Sequence, residues 1–299
     1  MRQARPVHIA VTGGSGKLGR VVVADLVAHG HTVVNLDQAP PPGGSAALPE
    51  GARFLKVDLA DHGQVLEALL GVDEHHRHGV DALVHLAAVP APGQLTDAAT
   101  FSNNTLSTYS AFAAARAAGV RNVVWASSET VLGLPFQAEP PPYAPVDEEY
   151  APRPNSSYSL SKVLGEEMAR QFCRWDPETK IIGLRFSNVM YPDQYAEFPD
   201  YDADPQTRVW NLWGYIDARD GAQGVRKALE LQATGADVFI IANADTVMRR
   251  SSAELMAEVF PGVEVRGELG EHETLLSIDK AERVLGYAPQ HSWRDTFTA

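Results

Sequence analysis

Thr12-Gly13-Gly14-Ser15-Gly16-Lys17-Leu18-Gly19 is the stretch from which the rest of the chain can be read. It follows the apolar run Val7-His8-Ile9-Ala10-Val11, which reads as a buried strand, and precedes Arg20 to Val27, which reads as a helix. In such a strand-turn-helix unit, Gly13, Gly16 and Gly19 take backbone angles closed to other residues and let the chain approach a pyrophosphate. The amide dipoles at the helix start, around Ser15, Lys17 and Leu18, then face the phosphates. A tight turn with no ligand also needs glycine, so the motif alone leaves both readings open.

The chain beyond the turn decides between them. His31 to Leu36 reads as a second strand ending at Asp37, eighteen residues after Gly19. A carboxylate there accepts hydrogen bonds from both adenosine ribose hydroxyls and repels a 2′-phosphate, so NAD is favoured over NADP. Lys17 and Arg20 argue weakly the other way. A proline- and glycine-rich loop from Ala39 to Ser45 leads to a third strand over Arg53 to Val57 and a helix over Asp61 to Leu70. Asp58, followed by Leu59, either meets the adenine amino group from the strand end or caps that helix. A fourth strand from Asp81 runs into Leu86-Ala87-Ala88, small enough for backbone to approach a cofactor, and a long alanine-rich helix spans about Ala98 to Ala118. Arg121 to Ala126 gives a fifth strand with Ser127 and Ser128 at its end. This alternation predicts an α/β protein built on a Rossmann-type doubly wound parallel sheet, with ligands at the carboxyl ends of the strands.

Tyr158-Ser159-Leu160-Ser161-Lys162 opens a helix after a proline-rich loop, so Tyr158 and Lys162 share one face. A phenol has an unperturbed pKa of about 10 and is a poor base near neutrality; an adjacent ammonium favours the phenolate. Ser128 would donate to the substrate oxygen. A tyrosine four before a lysine is common on helices for structural reasons, so the weight lies in the co-occurrence with the glycine turn and Asp37.

Composition bounds the rest. With 299 residues the chain suffices for one large α/β domain, or one domain with a small appendage. A formal charge of −13 argues against nucleic acid and anionic membrane surfaces as partners. No apolar stretch has membrane-helix length, and a first strand near residue 7 leaves no room for a signal peptide, so a cytoplasmic location is expected. Cys173, the one cysteine, reads as a core or interface residue, and His75-His76-Arg77-His78 as a solvated loop with no metal.

Taken together, TGGSGKLG, Asp37, Val57-Asp58-Leu59, HLAA at 85–88, Asn104, ASSETVLG at 126–133, YSLSK at 158–162 and LRFSNVMYP at 184–192 resemble an extended short-chain dehydrogenase/reductase of the NAD-dependent epimerase/dehydratase family, which includes sugar-nucleotide epimerases and uronate dehydrogenases. Gly214 to Asp220, Ser277 to Ala281 and Leu285 to Pro289 resemble later family segments. The resemblance implies that Gly13, Gly16 and Gly19 hold the pyrophosphate, Asp37 the ribose, and Asp58 with Leu59 the adenine, with Asn104 also at the cofactor and Asn188 at the substrate. It makes Tyr158 the acid/base residue, Lys162 its partner and holder of the nicotinamide ribose, and Ser128 the donor. It also implies a homodimer through the helices beginning near Ala98 and Ser156. Ser107 departs from the family glycine three residues after Asn104, and Glu129 from the usual small residue or asparagine, so Glu129 is expected to face the substrate.

Residues 1–189 are expected to form mainly the NAD-binding domain, and 190–299 to add to the sheet and build a small substrate lobe. Sugar-nucleotide enzymes of the family carry a longer insertion after the asparagine matched by Asn188; here about two dozen acidic and aromatic residues lead to Tyr215. Arg208, five before Trp213, matches the uronate dehydrogenase arginine that receives a substrate carboxylate, and guanidinium geometry suits that role. An arginine answering the neighbouring acidic run is the alternative, and Arg185 reads as structural or as the floor of the site. The functions that follow are an NAD-dependent oxidoreductase of a small sugar-like substrate, an epimerase or dehydratase that returns the hydride, or a dinucleotide sensor with no turnover.

Overall fold

The computed structural model describes residues 7–71, 79–136 and 139–296. The His75 to His78 run therefore lies outside the described residues. Seven parallel strands form the central sheet: β1 (His8–Thr12), β2 (Thr32–Asp37), β3 (Ala52–Lys56), β4 (Ala82–His85), β5 (Asn122–Ser128), β6 (Lys180–Phe186) and β7 (Gly235–Ile241). Their order across the sheet is β7-β6-β5-β4-β1-β2-β3. The chain thus winds outward from β1 in one direction and from β4 in the other, and a crevice opens above the point where the winding reverses.

Alternating side chains divide the interior between the two faces, as expected of strands buried on both sides. Ile9, Val11, Val84 and Val124 point to one core with Leu26 of α1 (Lys17–Ala28) and Val225 of α5 (Ala218–Glu230). Ala10, Leu83 and Val123 point to the other, against α2 (His62–Leu70), α3 (Asp97–Ala117) and α4 (Ser157–Trp175). Asp61 caps α2 by accepting from Gly63 N at 2.9 Å, and Ser156 with Ser159 closes a capping box at the start of α4.

One spacing in the second core bears on the site. The Trp125 indole on β5 lies beneath Gly165 of α4 and Gly183 of β6; a Cβ at Gly165 would come within 2.6 Å of the ring and one at Gly183 within 3.0 Å of Nε1. Glycine at both positions lets helix and strand close onto the indole.

The remaining chain covers the carboxyl edge. Val189–Met190 pairs with Ile216–Asp217, and short helical turns between them bury Tyr195, Phe198, Val209, Leu212 and Trp213. No helix among the described residues is long and apolar enough to cross a membrane.

Candidate active site

A cleft of about 910 Å³ runs along the carboxyl ends of the strands, from Asp37 and Gln38 at one end to Ser128, Glu129, Tyr158, Asn188 and Trp210 at the other. At the first end the glycine turn leaves bare backbone. Gly13 sits at φ +69°, and a Cβ there would lie 2.7 Å from Ala87 N; one at Gly19 would lie 2.1 Å from Gly13 O. Gly14 is constrained by a side chain, its Cβ direction meeting the buried Asn35 Oδ1 at 2.4 Å, a requirement the spacing of the motif did not reveal. Helix α1 begins at Lys17, three residues earlier than its apolar pattern indicates, so its first amides lie at the cleft. The Asp37 carboxylate accepts from Ser15 N at 3.1 Å and Gln38 N at 2.8 Å, joining the end of β2 to the turn.

The predicted cofactor residues divide into those that line the cleft and those that shape it. Gly13, Gly16, Lys17, Leu18, Gly19, Asp37, Leu59, Leu86, Ala87, Ala88, Tyr158 and Lys162 line it. Ser15, Asp58 and Asn104 are not among its lining residues. Asp58 Oδ1 accepts from Ala60 N at 3.0 Å and so forms the turn that presents Leu59 and Ala60. Asn104 accepts from Val89 N at 2.8 Å and donates to Val89 O at 3.1 Å, clamping the loop that carries Pro90 to Leu95 over the cleft. Lys17 Nζ donates to Gln194 Oε1 and Arg20 Nη2 to Tyr191 Oη, tying the 191–194 segment to the turn.

At the other end, β5 delivers Ser128 and α4 delivers Tyr158 and Lys162. Ser128 Oγ accepts from Thr130 N at 3.2 Å and Thr130 Oγ1 at 3.0 Å, which leaves its own proton to point elsewhere. The Tyr158 phenol faces that serine. Burial pushes the phenol up to about 12, the Ser128 hydroxyl works against this, and the Glu129 charge adds to it. Lys162 Nζ donates to Ala126 O at 2.7 Å and lies 5.7 Å from the Tyr158 ring centroid; burial pushes it down to about 8. Burial rather than the lysine's field governs the phenol, which is therefore neutral near pH 7.

Beneath these groups lies a buried ion pair. Arg185 Nε and Nη2 donate to the two Glu166 oxygens at 2.9 and 2.8 Å, and Ser127 Oγ donates to Glu166 Oε1 at 2.7 Å. Arg185 is thus a structural anchor joining β6 to α4. His85 is buried between Thr12 and Thr108 hydroxyls, and burial pushes it down to about 3, so it is neutral.

Glu129 is buried and lines the cleft, and burial pushes its carboxyl up to about 7, against the opposing influence of Ser187, Asn211 and Arg208. Arg208 is buried but is not a lining residue. Its Nη2 donates to Gly214 O at 2.9 Å, and its guanidinium lies 5.4 and 5.3 Å from the Tyr201 and Trp210 ring centroids. Trp213 Nε1 donates to Pro205 O at 2.8 Å, inside the core. Leu212 and Trp213 are consecutive non-glycine residues in the left-handed region, at φ 55° and 56°. Such conformations cost about 1–3 kcal/mol each and concentrate at functional sites. Nothing in the residue types foretold them.

The Cys173 thiol is buried, and burial pushes it up to about 11, so it is an inert core group. Among the described residues, no three histidine, cysteine or acidic side chains are grouped to hold a metal. For NAD the fit is good: a backbone cradle that admits no Cβ, a carboxylate at the β2 end, and a long cleft reaching Tyr158 and Lys162.

The family model for the NAD dependent epimerase/dehydratase family matches residues 9–242. UDP-glucose 4-epimerase 2 of Oryza sativa is 31% identical over a match covering 75% of this chain and 53% of its own, so the match spans about half of that relative. The L-arabinose 1-dehydrogenase (NAD(P)(+)) of Haloferax volcanii is 29% identical, with 75% and 82% covered. A crystal structure of UDP-galactose 4-epimerase superposes with a TM-score of 0.68 at 26% identity, over 95% of this chain and 94% of the other. With the glycine cradle, Asp37 and the Ser128, Tyr158 and Lys162 set on one cleft, and a family model matching most of the chain, this protein belongs to the NAD-dependent epimerase/dehydratase family of extended short-chain dehydrogenase/reductases, with NAD as its cofactor.

Proposed function

We propose that the protein is an NAD-dependent dehydrogenase of a small, sugar-like substrate. The observation that carries this reading is the use made of residues 189–214. In place of a long clasp for a nucleotide, these residues are spent on the core: Tyr195, Phe198, Val209, Leu212 and Trp213 are all buried. Within residues 189–214 only Val189 and Trp210 line the cleft, which favours a small substrate over one held by a long clasp. The relation to an arabinose dehydrogenase is consistent with this.

In this reading Tyr158 takes the proton of a substrate hydroxyl while Ser128 donates a hydrogen bond to the same oxygen. The base is the phenolate, formed beforehand when the phenol loses its own proton to solvent and favoured by the Lys162 ammonium, held by Ala126 O; taking the substrate proton returns it to the neutral phenol. NAD, when bound, supplies the hydride acceptor. The acid-sugar version, in which the substrate is a uronic acid, rests on Arg208 receiving the carboxylate. The relation to UDP-glucose 4-epimerases favours a second reading, in which hydride returns to the sugar and no NADH accumulates. Incubation with NAD and a panel of aldoses, uronates and nucleotide sugars, read by NADH fluorescence, separates the two. Accumulating NADH supports the dehydrogenase; an isomerised or dehydrated product without NADH overturns it.

We also propose a homodimer through α3 and α4. Leu106, Tyr109, Leu160, Leu164 and Trp175 on these helices are exposed, a larger apolar display than a monomer needs. Sedimentation equilibrium of the protein and of Leu160→Glu tests it: a dimer that dissociates in the variant supports the proposal, and a monomeric parent overturns it.

A further inference from the structure

The substrate end of the cleft holds polar atoms that the fold leaves without partners. Glu129 Oε2, Ser187 Oγ and Asn211 Oδ1 are all buried without a hydrogen bond, whereas nearly all buried polar atoms in proteins are satisfied. Glu129 and Ser187 are each 3% exposed, and both line the cleft. Ser187 lies close enough to influence the Glu129 carboxyl, but without a hydrogen bond of good geometry.

The carboxyl is held deliberately. Glu129 Oε1 accepts from Asn211 Nδ2 at 3.2 Å, and the same amide donates to Gly214 O at 2.9 Å. Gly214 has no space for a side chain, its Cβ direction meeting Leu276 at 2.8 Å, and the two residues before it are the left-handed Leu212 and Trp213. A strained turn thus presses an amide against one oxygen of Glu129 and leaves the other buried without a hydrogen bond, on a residue of the cleft wall.

We propose that Glu129 Oε2 and Ser187 Oγ form a hydroxyl-recognising subsite that makes a neutral, polyhydroxylated free sugar the substrate in preference to a sugar acid. This rests on the dehydrogenase reading above. A carboxylate oxygen accepts from a sugar hydroxyl, and a serine hydroxyl both donates and accepts, so together they match adjacent hydroxyls, with Trp210 offering an apolar face. A substrate carboxylate, in contrast, has no proton to give the Glu129 oxygen or the serine, and meets a like charge whenever Glu129 is ionised. Arg208, the nearby guanidinium, has Nη2 engaged with Gly214 O and does not line the cleft, although its Nε too is buried without a partner.

The test uses the full chain, NAD and matched sets of an aldose, its deoxy analogues and its uronate. The parent enzyme is expected to favour the neutral aldose, and to discriminate against the analogue lacking the recognised hydroxyl by at least about 100-fold in kcat/KM. Glu129→Gln and Ser187→Ala are each expected to shrink that discrimination about tenfold or more, chiefly through KM, while NAD affinity measured by calorimetry stays unchanged. Glu129→Asp keeps the charge and should recover part of the effect. Melting curves confirm that each variant folds, and calorimetric titration of the aldose into the parent and Glu129→Gln reads the subsite apart from turnover. Preference for the uronate, or unchanged discrimination in both variants, overturns this proposal while leaving the dehydrogenase reading intact. Failure of every free sugar to yield NADH overturns both.

Discussion

The two ends of the cleft are built on opposite principles. At the cofactor end, shape is enforced by exclusion: Gly13, Gly14 and Gly19 have no room for a Cβ, and the Asp37 carboxylate is occupied by two backbone amides. At the substrate end, groups are left unfinished: Glu129 Oε2 and Ser187 Oγ lack partners, and Leu212 and Trp213 hold left-handed angles. A ligand common to a whole family can be met by a rigid backbone surface. A ligand particular to one protein is met by side chains whose hydrogen-bonding capacity is kept in reserve, at a cost in stability.

Substitutions can break or sharpen this contrast, beginning with the largest effect. Tyr158→Phe removes the proton acceptor, and kcat should fall by about 10²–10⁴-fold with NAD affinity nearly unchanged, as read by steady-state kinetics beside calorimetry. Glu166→Ala strands the Arg185 guanidinium at 3% side-chain exposure, and denaturant unfolding should report a loss of about 3–5 kcal/mol. Gly19→Ala attacks the cofactor end alone. NAD binding should weaken about 100-fold or more, because the turn must open to relieve a 2.1 Å approach to Gly13 O.

Glu129→Gln is the smallest in energy and runs the other way. The folded carboxyl lies at about 7, above its usual 4.5, so the folded state holds the proton more tightly than the unfolded chain. Stability from this group is therefore present below about 4.5 and lost as pH rises through 7. The amide variant escapes that loss. Its melting temperature should exceed the parent's by a few degrees at pH 8, corresponding to about 1–3 kcal/mol, and by little at pH 5, by scanning calorimetry. A variant more stable yet poorer in sugar discrimination would show the reserve directly; equal melting at both pH values would remove it.

How much of this was legible in the sequence follows the same division. Gly13, Gly16 and Gly19, Asp37, and Tyr158 with Lys162 were readable because backbone sterics, strand ends and helical periodicity are local properties. Gly14 escaped because its constraint comes from Asn35, on another strand. Asn104 was placed with the cofactor by resemblance, yet its side chain clamps Val89, a pairing that exists only once α3 packs beside β4. The expected help from Lys162 to Tyr158 omitted burial, which depends on how deeply α4 sits. Arg208 was weighed for its charge, whereas its position is decided by the Leu212 and Trp213 turn, and neither leucine nor tryptophan advertises a positive φ.

The indole of Trp125 acts as a gauge block. It fixes the gap between β5 and α4 where Gly165 meets the ring, and Gly165 lies seven residues, about two turns, from Tyr158 on the same helix. A helix transmits displacement along its length as a stiff rod. Any side chain added at 165 would lever the phenol away from Ser128, and misplacement by about 1 Å costs on the order of 100-fold in rate. The tolerance of the chemistry is therefore set by a glycine that touches no part of the reaction.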